Sequence, residues 1–368
     1  MPAKNKLRGT YYERRCVEKA QGFDLKAERT WGSDGRSRGL AQEVDMVIEA
    51  VFEDPEIKDT VLREIDRNVN KNTIIASNTS TLPITDLANS VADQKNFLGI
   101  HFFSPVHKMN LVEIIKSEKT DQGTVATAFD FVRQLKKTPI VVNDARNFYA
   151  NRCIIPYINE GMIMVKEGIP PQLIENAALQ LGMPLGPLQL IDEVSIELAI
   201  SIAKQTRKAL GNDLKDYGVG DVLSVMEIKK RFGKKVGAGF YEYDAQGKRV
   251  GFWSDLKTHF PANNDLKSFS EIKSRLALIQ CLEAVRAFES KVLLDIREGD
   301  VGAILGWGCI PWAGGPFSWM DLKGSQWVVS ECEKLSKLHG PRFDAGNLLS
   351  DLAKTDQTFY EKYAEITN

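Results

Sequence analysis

An α/β domain followed by two related all-helical domains is the fold class this sequence predicts. Two observations set the first part. Apolar runs of strand length alternate with amphipathic helical stretches between residues 44 and 142, and the alternation stops near residue 147. A third observation divides the rest: the order of helical segments that begins at residue 147 recurs from about residue 270, so the helical part reads as a duplication.

Residues 1–40 are polar and basic, with a stretch of helical composition, TYYERRCVEKA, and a loop, WGSDGRSRG. VDMVIEAV (44–51) is a continuous apolar run with β-branched residues, which predicts a strand buried on both faces. A helix follows. Asp54 suits its N-cap, Pro55 its first position, and Ile57, Val61, Leu62 and Ile65 recur at helical spacing. TIIASN (73–78), FLGIHFF (97–103), LVEII (111–115) and TPIVV (138–142) read as further strands, with a short helix at ITDLANSV and a long one from Thr124 to Lys136. The expectation is a parallel sheet with crossover helices.

Past residue 147, NFYANRCIIPYINEGMIMVKEG predicts a helix ended by Gly168. PPQLIENAALQLG predicts a second ended by Gly182, and GPLQLIDEVSIELAISIAKQTRKALG a third ended by Gly211. EIKSRLALIQCLEAVRAFES opens the second copy, in which GCIPWAGGPFSWMD echoes GMPLGPLQLID of the first. Between the copies, RFGKKVGAGFYEYDAQGK reads as a Gly-rich loop with a hairpin-like turn. Domains are expected at 1–40 (a helical arm), 41–145, 146–245 and 246–368.

The 368 residues suffice for several domains, and 43% hydrophobic with 26% charged residues is ordinary globular composition. A formal net charge of -1 gives no reason to expect a nucleic-acid partner, and the basic runs near residue 230 read as a solvated face. The five Cys (Cys16, Cys153, Cys281, Cys309 and Cys332) are odd in number and scattered. They read as core thiols of a reducing compartment, with neither a disulfide framework nor a zinc site. No targeting signal and no bilayer-length apolar run is legible, so the expectation is a cytoplasmic protein without membrane contact.

Ligands of parallel α/β sheets sit beyond the carboxyl ends of the strands. That rule selects SNTS (77–80), His101, which is one of only four His, and Asn151 at the start of the first long helix. A His in an apolar strand is often a core residue satisfied by a backbone carbonyl. Glu113 lies in the next apolar run, where a carboxylate is costly unless paired. Across neighbouring strands it would orient the imidazole and raise its basicity; bonding to backbone amides is the alternative. Ser77, Asn78, Thr79 and Ser80 are also ordinary loop formers. Trp307, Trp312, Phe317 and Trp319 read as packing among glycine turns.

VIEAVFEDPEIK, ASNTSTLPIT, HFFSPVHKMNLVEII, TPIVVNDARNFYANR, GMPLGPLQLID and KKVGAGFYEY, in this order, resemble the L-3-hydroxyacyl-CoA dehydrogenase family, above all the dehydrogenase half of the multifunctional fatty-acid β-oxidation enzymes. The resemblance runs from about residue 10 to about 363. It implies a Rossmann-like NAD-binding domain, duplicated helical domains, and NAD-dependent oxidation of L-3-hydroxyacyl-CoA to 3-oxoacyl-CoA. It makes His101 the general base for the 3-hydroxyl and Glu113 its partner, with Ser80 and Asn151 hydrogen-bonding the substrate. Glu53, Lys58 and Asn78 fall on the cofactor side, no metal is needed, and a homodimer through the helical domains is expected. Asn147 stands where the family has Gly, tolerable because Asn accepts a positive φ.

The family opens with a strand, a Gly-rich turn and a helix whose N-terminus binds pyrophosphate. Here Gly32, Gly35 and Gly39 have the wrong spacing and no apolar strand precedes them. The expectation is therefore an incomplete Rossmann-like domain lacking the first βαβ glycine-rich unit, with an exposed sheet edge and a weakened hold on NAD. Two other readings stay open: a redox-inactive acyl-CoA-binding or assembly homologue, and a reading frame that starts late, with G-x-G-x-x-G upstream.

Overall fold

A computed structural model describes residues 44–210, 216–263 and 268–364. The expected N-terminal arm, the Gly32, Gly35 and Gly39 cluster, Cys16 and the helix end at Gly211 lie outside the described residues. The described chain forms two compact units. One comprises the residues up to Arg152, the returning segment Ala287–Gly306 and the chain from Tyr363; the other comprises Cys153–Arg286 and Trp307–Lys362.

In the first unit the order is β1 (Met46–Glu49), α1 (Pro55–Asn68), β2 (Ile74–Ser77), α2 (Ile84–Leu87), β3 (Phe97–Phe102), β4 (Leu111–Lys116), α3 (Gln122–Gln134) and β5 (Thr138–Asn143). The strands lie side by side in sequence order. β1, β2 and β3 run parallel, β4 is antiparallel to β3, and β5 is parallel to β4. The all-parallel expectation is thus corrected. Residues 103–110 alone join β3 to β4, and a parallel crossover needs about a dozen residues or more.

Asp54 caps α1 as its sequence predicts, accepting from the amides of Glu56 and Ile57 at 3.0 Å each. The buried face of α1 is nevertheless Lys58, Val61, Leu62 and Ile65, while Ile57 is exposed. Those four positions fall at i, i+3, i+4 and i+7, one helical stripe, and Lys58 enters it because Glu49 compensates its charge. One sheet face, with Ile74, Ala76, Leu98, Ile100, Val112 and Ile114, packs on Val125, Ala128 and Val132 of α3. Each of the Ile, Leu and Val side chains among them contributes about 1.5–3 kcal/mol when fully buried. The outer edge of β5 is covered by the returning segment: Asn143 N donates to Val292 O (2.9 Å), and Val142 bridges Leu293. After β5 the chain turns through Asn147 (φ 68°) and Phe148 (φ 51°). Asn at the first position fits the expected positive φ.

The remaining elements are α4 (Ala150–Lys166), α5 (Pro171–Gln180), α6 (Pro187–Val194), α7 (Ile196–Leu210), α8 (Val219–Ile228), the hairpin β6 (Tyr241–Tyr243) and β7 (Arg249–Phe252), α9 (Leu256–His259), α10 (Phe269–Glu289), α11 (Ile296–Trp307), α12 (Pro316–Lys323), α13 (Ser325–His339), α14 (Gly346–Thr355) and α15 (Phe359–Tyr363). The single third helix expected from residue 186 is two helices. They break at Ser195 (φ 152°), whose hydroxyl accepts from Leu198 N and so caps α7.

In the second unit Asp192 organises the hairpin, accepting from Phe240 N (2.8 Å), Tyr241 N (2.9 Å) and the Tyr243 hydroxyl (3.0 Å). Burial pushes its carboxyl up to about 6 against those bonds. Gly239 is required there, because a Cβ would overlap the carboxylate. Arg275 is fully buried between Glu160 (2.7 Å) and Glu167 (2.6 Å), and Arg342 takes the second oxygen of Glu160 (2.8 Å). Trp307, Phe317 and Trp319 are core residues as expected, whereas Trp312 is 60% exposed, packed over Gly182 with its indole N–H on Leu181 O. Cys153, Cys281, Cys309 and Cys332 are buried thiols outside any disulfide.

Candidate active site

β3 and β4 pair in a register that sets His101 directly opposite Glu113, so both side chains emerge on one face of the sheet. Their ring nitrogen Nδ1 and carboxylate Oε2 are 2.7 Å apart, with His101 4% and Glu113 0% exposed. The other carboxylate oxygen, Oε1, accepts from Ala150 N (2.8 Å) and Tyr149 N (3.2 Å) at the start of α4. A helix N-terminus favours a carboxylate there, so both readings of Glu113 hold at once: it bonds backbone amides and orients the imidazole. The Nδ1–H of the ring donates to the Glu113 carboxylate, which leaves Nε2 as the basic nitrogen. Among the described residues no group hydrogen-bonds Nε2. Phe103 and Phe148 flank the imidazole at ring-centroid distances of 4.5 and 5.9 Å.

The residue after Ala150 starts a second contact line. Asn151 Nδ2 donates to Ser80 O at 2.8 Å. Ser80 in turn belongs to a loop gathered by one carboxylate: Glu53 Oε1 accepts from the Thr79 hydroxyl (2.6 Å), Ser80 N (2.8 Å), Thr81 N (2.9 Å) and the Thr81 hydroxyl (3.0 Å). Burial opposes ionisation of Glu53, but the bonds from Thr79, Ser80 and Thr81 and the nearby Lys58 outweigh it and hold its carboxyl below the usual range. Asn78 stitches the strand ends: its N donates to Glu49 O (2.8 Å) and its Oδ1 accepts from Phe102 N (2.9 Å).

Lys58 lies deeper than a ligand contact requires. Its ammonium is fully buried, 3.0 Å from both oxygens of Glu49 and 3.8 Å from Glu53 Oε2. Glu49 also accepts from the Ser77 hydroxyl and from Val51 N. The structure places the sequence-selected residues at the carboxyl ends of β1, β2 and β3, on β4 opposite His101 and at the start of α4, with Lys58 of α1 as a buried support. Glu49 was missed by the sequence reading, although the signal that flags Glu113, a carboxylate inside an apolar run, is equally present in VIEAV. Tyr149 was missed because an aromatic residue in a loop carries no such signal. Among the described residues no group of His, Cys, Asp and Glu could hold a metal ion, and no helix is long and apolar enough to cross a membrane.

Comparison with known proteins gives two family matches. Residues 22–145 match 3-hydroxyacyl-CoA dehydrogenase, NAD binding domain, and residues 148–243 match 3-hydroxyacyl-CoA dehydrogenase, C-terminal domain. The chain is 38% identical over 353 residues to the fatty acid oxidation complex subunit alpha of Shewanella amazonensis, covering 95% of this chain and 49% of that protein. It thus spans about half the length of the curated relatives it matches. Among solved structures, the (S)-3-hydroxybutyryl-CoA dehydrogenase of Ralstonia eutropha is 34% identical with a TM-score of 0.51, over 55% of this chain and 72% of that one. The 3-hydroxybutyryl-CoA dehydrogenase of Escherichia coli shares the fold, with a TM-score of 0.70 at 21% identity over 85% of this chain and 82% of that one.

Proposed function

The chain belongs to the 3-hydroxyacyl-CoA dehydrogenase family, and from that premise we propose that it oxidises L-3-hydroxyacyl-CoA thioesters to 3-oxoacyl-CoA with NAD, as a step of fatty-acid β-oxidation. The observation that carries this reading is the buried His101–Glu113 pair, in which one ring nitrogen is held by the protein and the other has no partner among the described residues.

His101 Nε2 takes the proton of the 3-hydroxyl as C3 gives up its hydride. Glu113 stabilises the imidazolium that results, and the two amides at the start of α4 keep its carboxylate in place. Asn151, anchored on Ser80 O, hydrogen-bonds the reacting acyl group. Bound NAD supplies the hydride acceptor. The strand ends fit such a group: they carry an ionised Glu53, a loop of hydroxyl and amide groups around Ser80, and beside them Phe52, which is 82% exposed. Glu53 and Asn78 would hold it, with Lys58 acting behind them through Glu49, while Ser80 would contact the substrate oxygen.

The same proposal includes a duplicated helical module. Supporting it, α4, α5 and α6 match α10, α11 and α12 in order; a glycine with positive φ follows α5 and α11 (Gly182, Gly308); and α6 and α12 each open with Gly-Pro. A homodimer through the helical domains also belongs to it, and light scattering of the purified chain tests that part.

The decisive experiment is NADH oxidation by the 368-residue chain with acetoacetyl-CoA at high NADH, with His101→Ala alongside. Turnover is expected from the wild type, reduced about 10²- to 10⁴-fold in the folded variant. A folded wild type that binds acyl-CoA without turning over would replace this reading with that of a redox-inactive acyl-CoA-binding homologue.

A further inference from the structure

We propose that Tyr149 is a positioning residue that ties the His101–Glu113 pair to α11, a helix about 150 positions further along the chain. The inference rests on the dehydrogenase reading and adds a part of the catalytic apparatus that no strand end supplies.

Tyr149 is fully buried and bonded at both ends. Its backbone N donates to Glu113 Oε1 (3.2 Å), and its hydroxyl donates to Gly299 O in α11 (3.0 Å). α11 comes close because its facing side lacks side chains. A Cβ at Gly302 would lie 2.8 Å from Ile140 Cδ1 and 3.6 Å from Tyr149 Cε1. One at Gly306 would lie 2.8 Å from Leu111 Cδ2 and 3.8 Å from Phe103 Cε1. Gly299, Gly302 and Gly306 are at i, i+3 and i+7, one stripe of the helix. Glu298, on the first turn, accepts from Val141 N of β5 (2.9 Å), which fixes the helix along the sheet edge.

The contacts reach both members of the pair. Through Tyr149, α11 sets the amide that holds Glu113. Through Gly306, it backs Phe103, whose ring lies 4.5 Å from that of His101. An acid–base pair is sensitive to such support, because a misplacement of about 1 Å can lower turnover about 10²-fold. Packing against α11 alone would stabilise the unit and leave the imidazole unaffected; support of Glu113 makes the imidazole itself respond when the support is cut.

Tyr149→Phe removes the bond to Gly299 O and keeps the ring and the backbone amide. Gly302→Ala pushes on Ile140 and Tyr149 from the same face of α11. With acetoacetyl-CoA and NADH, each variant is expected to lose about 2- to 10-fold in kcat, the scale of one neutral hydrogen bond, at nearly constant KM for both substrates. The ¹⁵N chemical shifts of His101 Nδ1 and Nε2, which report how Glu113 holds the Nδ1–H, are expected to move in Tyr149→Phe relative to the wild type. Lowered thermal stability with unchanged kcat and unmoved His101 ¹⁵N shifts would reduce Tyr149 to a packing residue and overturn the proposal. The NMR readout needs no turnover. A wild type that is inactive therefore counts against the dehydrogenase reading, while the response of His101 to Tyr149→Phe still decides whether α11 supports the pair.

Discussion

Each unit buries a set of charged side chains. In the α/β unit they are Glu49, Lys58, His101 and Glu113, none more than 4% exposed. In the helical unit they are Arg275 and Glu160, with Arg342 and Glu167 beside them. In the helical cluster every carboxylate oxygen of Glu160 and Glu167 accepts from a guanidinium. Such a set is closed on itself, and its role is to hold α4, α10 and the segment after α13 in one arrangement. The α/β set is closed around Glu49 and Lys58 but open at His101, where Nε2 has no hydrogen-bond partner among the described residues. Both places bury ionisable side chains, so burial by itself does not tell them apart. In the proposed function, what separates the support from the candidate reaction centre is one nitrogen at the carboxyl end of a strand that has no hydrogen-bond partner among the described residues.

Three changes sharpen or break this contrast. The largest effect is expected from Glu113→Gln. The amide keeps the volume and can still accept from the amides of Tyr149 and Ala150, but its NH₂ faces Nδ1 and moves the proton of the ring to Nε2, the wrong tautomer for a base. Turnover should fall about 10²- to 10⁴-fold with little change in melting temperature. Near-normal turnover in steady-state assays would mean that Glu113 is a helix cap and nothing more.

Arg275→Met should do the reverse. Glu167 and part of Glu160 lose their partner in a buried site, so urea unfolding should show a loss of about 3–5 kcal/mol. The kcat of the protein that remains folded should not change. A drop in kcat without a loss of stability would erase the distinction drawn between the two clusters.

The smallest effect concerns Asp192, whose folded carboxyl is raised to about 6 by burial, above an unfolded value near 4. The folded state binds this proton more tightly, so its stabilising contribution is complete below about pH 4 and is lost as pH rises through 6. The shift corresponds to about 3 kcal/mol at most. In urea titrations between pH 4 and 7, the wild type should lose stability relative to Asp192→Asn as pH rises. A constant difference across that window would show that Asp192 does not titrate there.

Much of the α/β unit was legible in advance. Three strands fell within the expected runs and β4 and β5 ran one residue past theirs, Asp54 capped α1, and Asn147 took its positive φ. The direction of β4 was not read, although a link as short as residues 103–110 permits only the antiparallel arrangement. Ile57 and Lys58 exchanged their expected places, because helical spacing alone allows two adjacent stripes and the choice fell to Glu49, a residue on another strand. The seven candidate residues did converge, yet Ser80 and Glu53 are joined through the backbone of residues 80 and 81, which residue types cannot announce.

The sequence by itself determined what depends on near neighbours: where strands and helices begin, which turns need a positive φ, and which ionisable groups sit in apolar runs and so must find partners. Those preferences arise within a few residues, from capping bonds, backbone sterics and the cost of burying charge. Only the tertiary structure decided who the partners are. The register of β3 on β4 set His101 against Glu113, Glu49 drew Lys58 inward, and α11 came to rest on Tyr149 across some 150 residues. Such pairings follow from the packing of distant segments, which no local stretch of chain encodes.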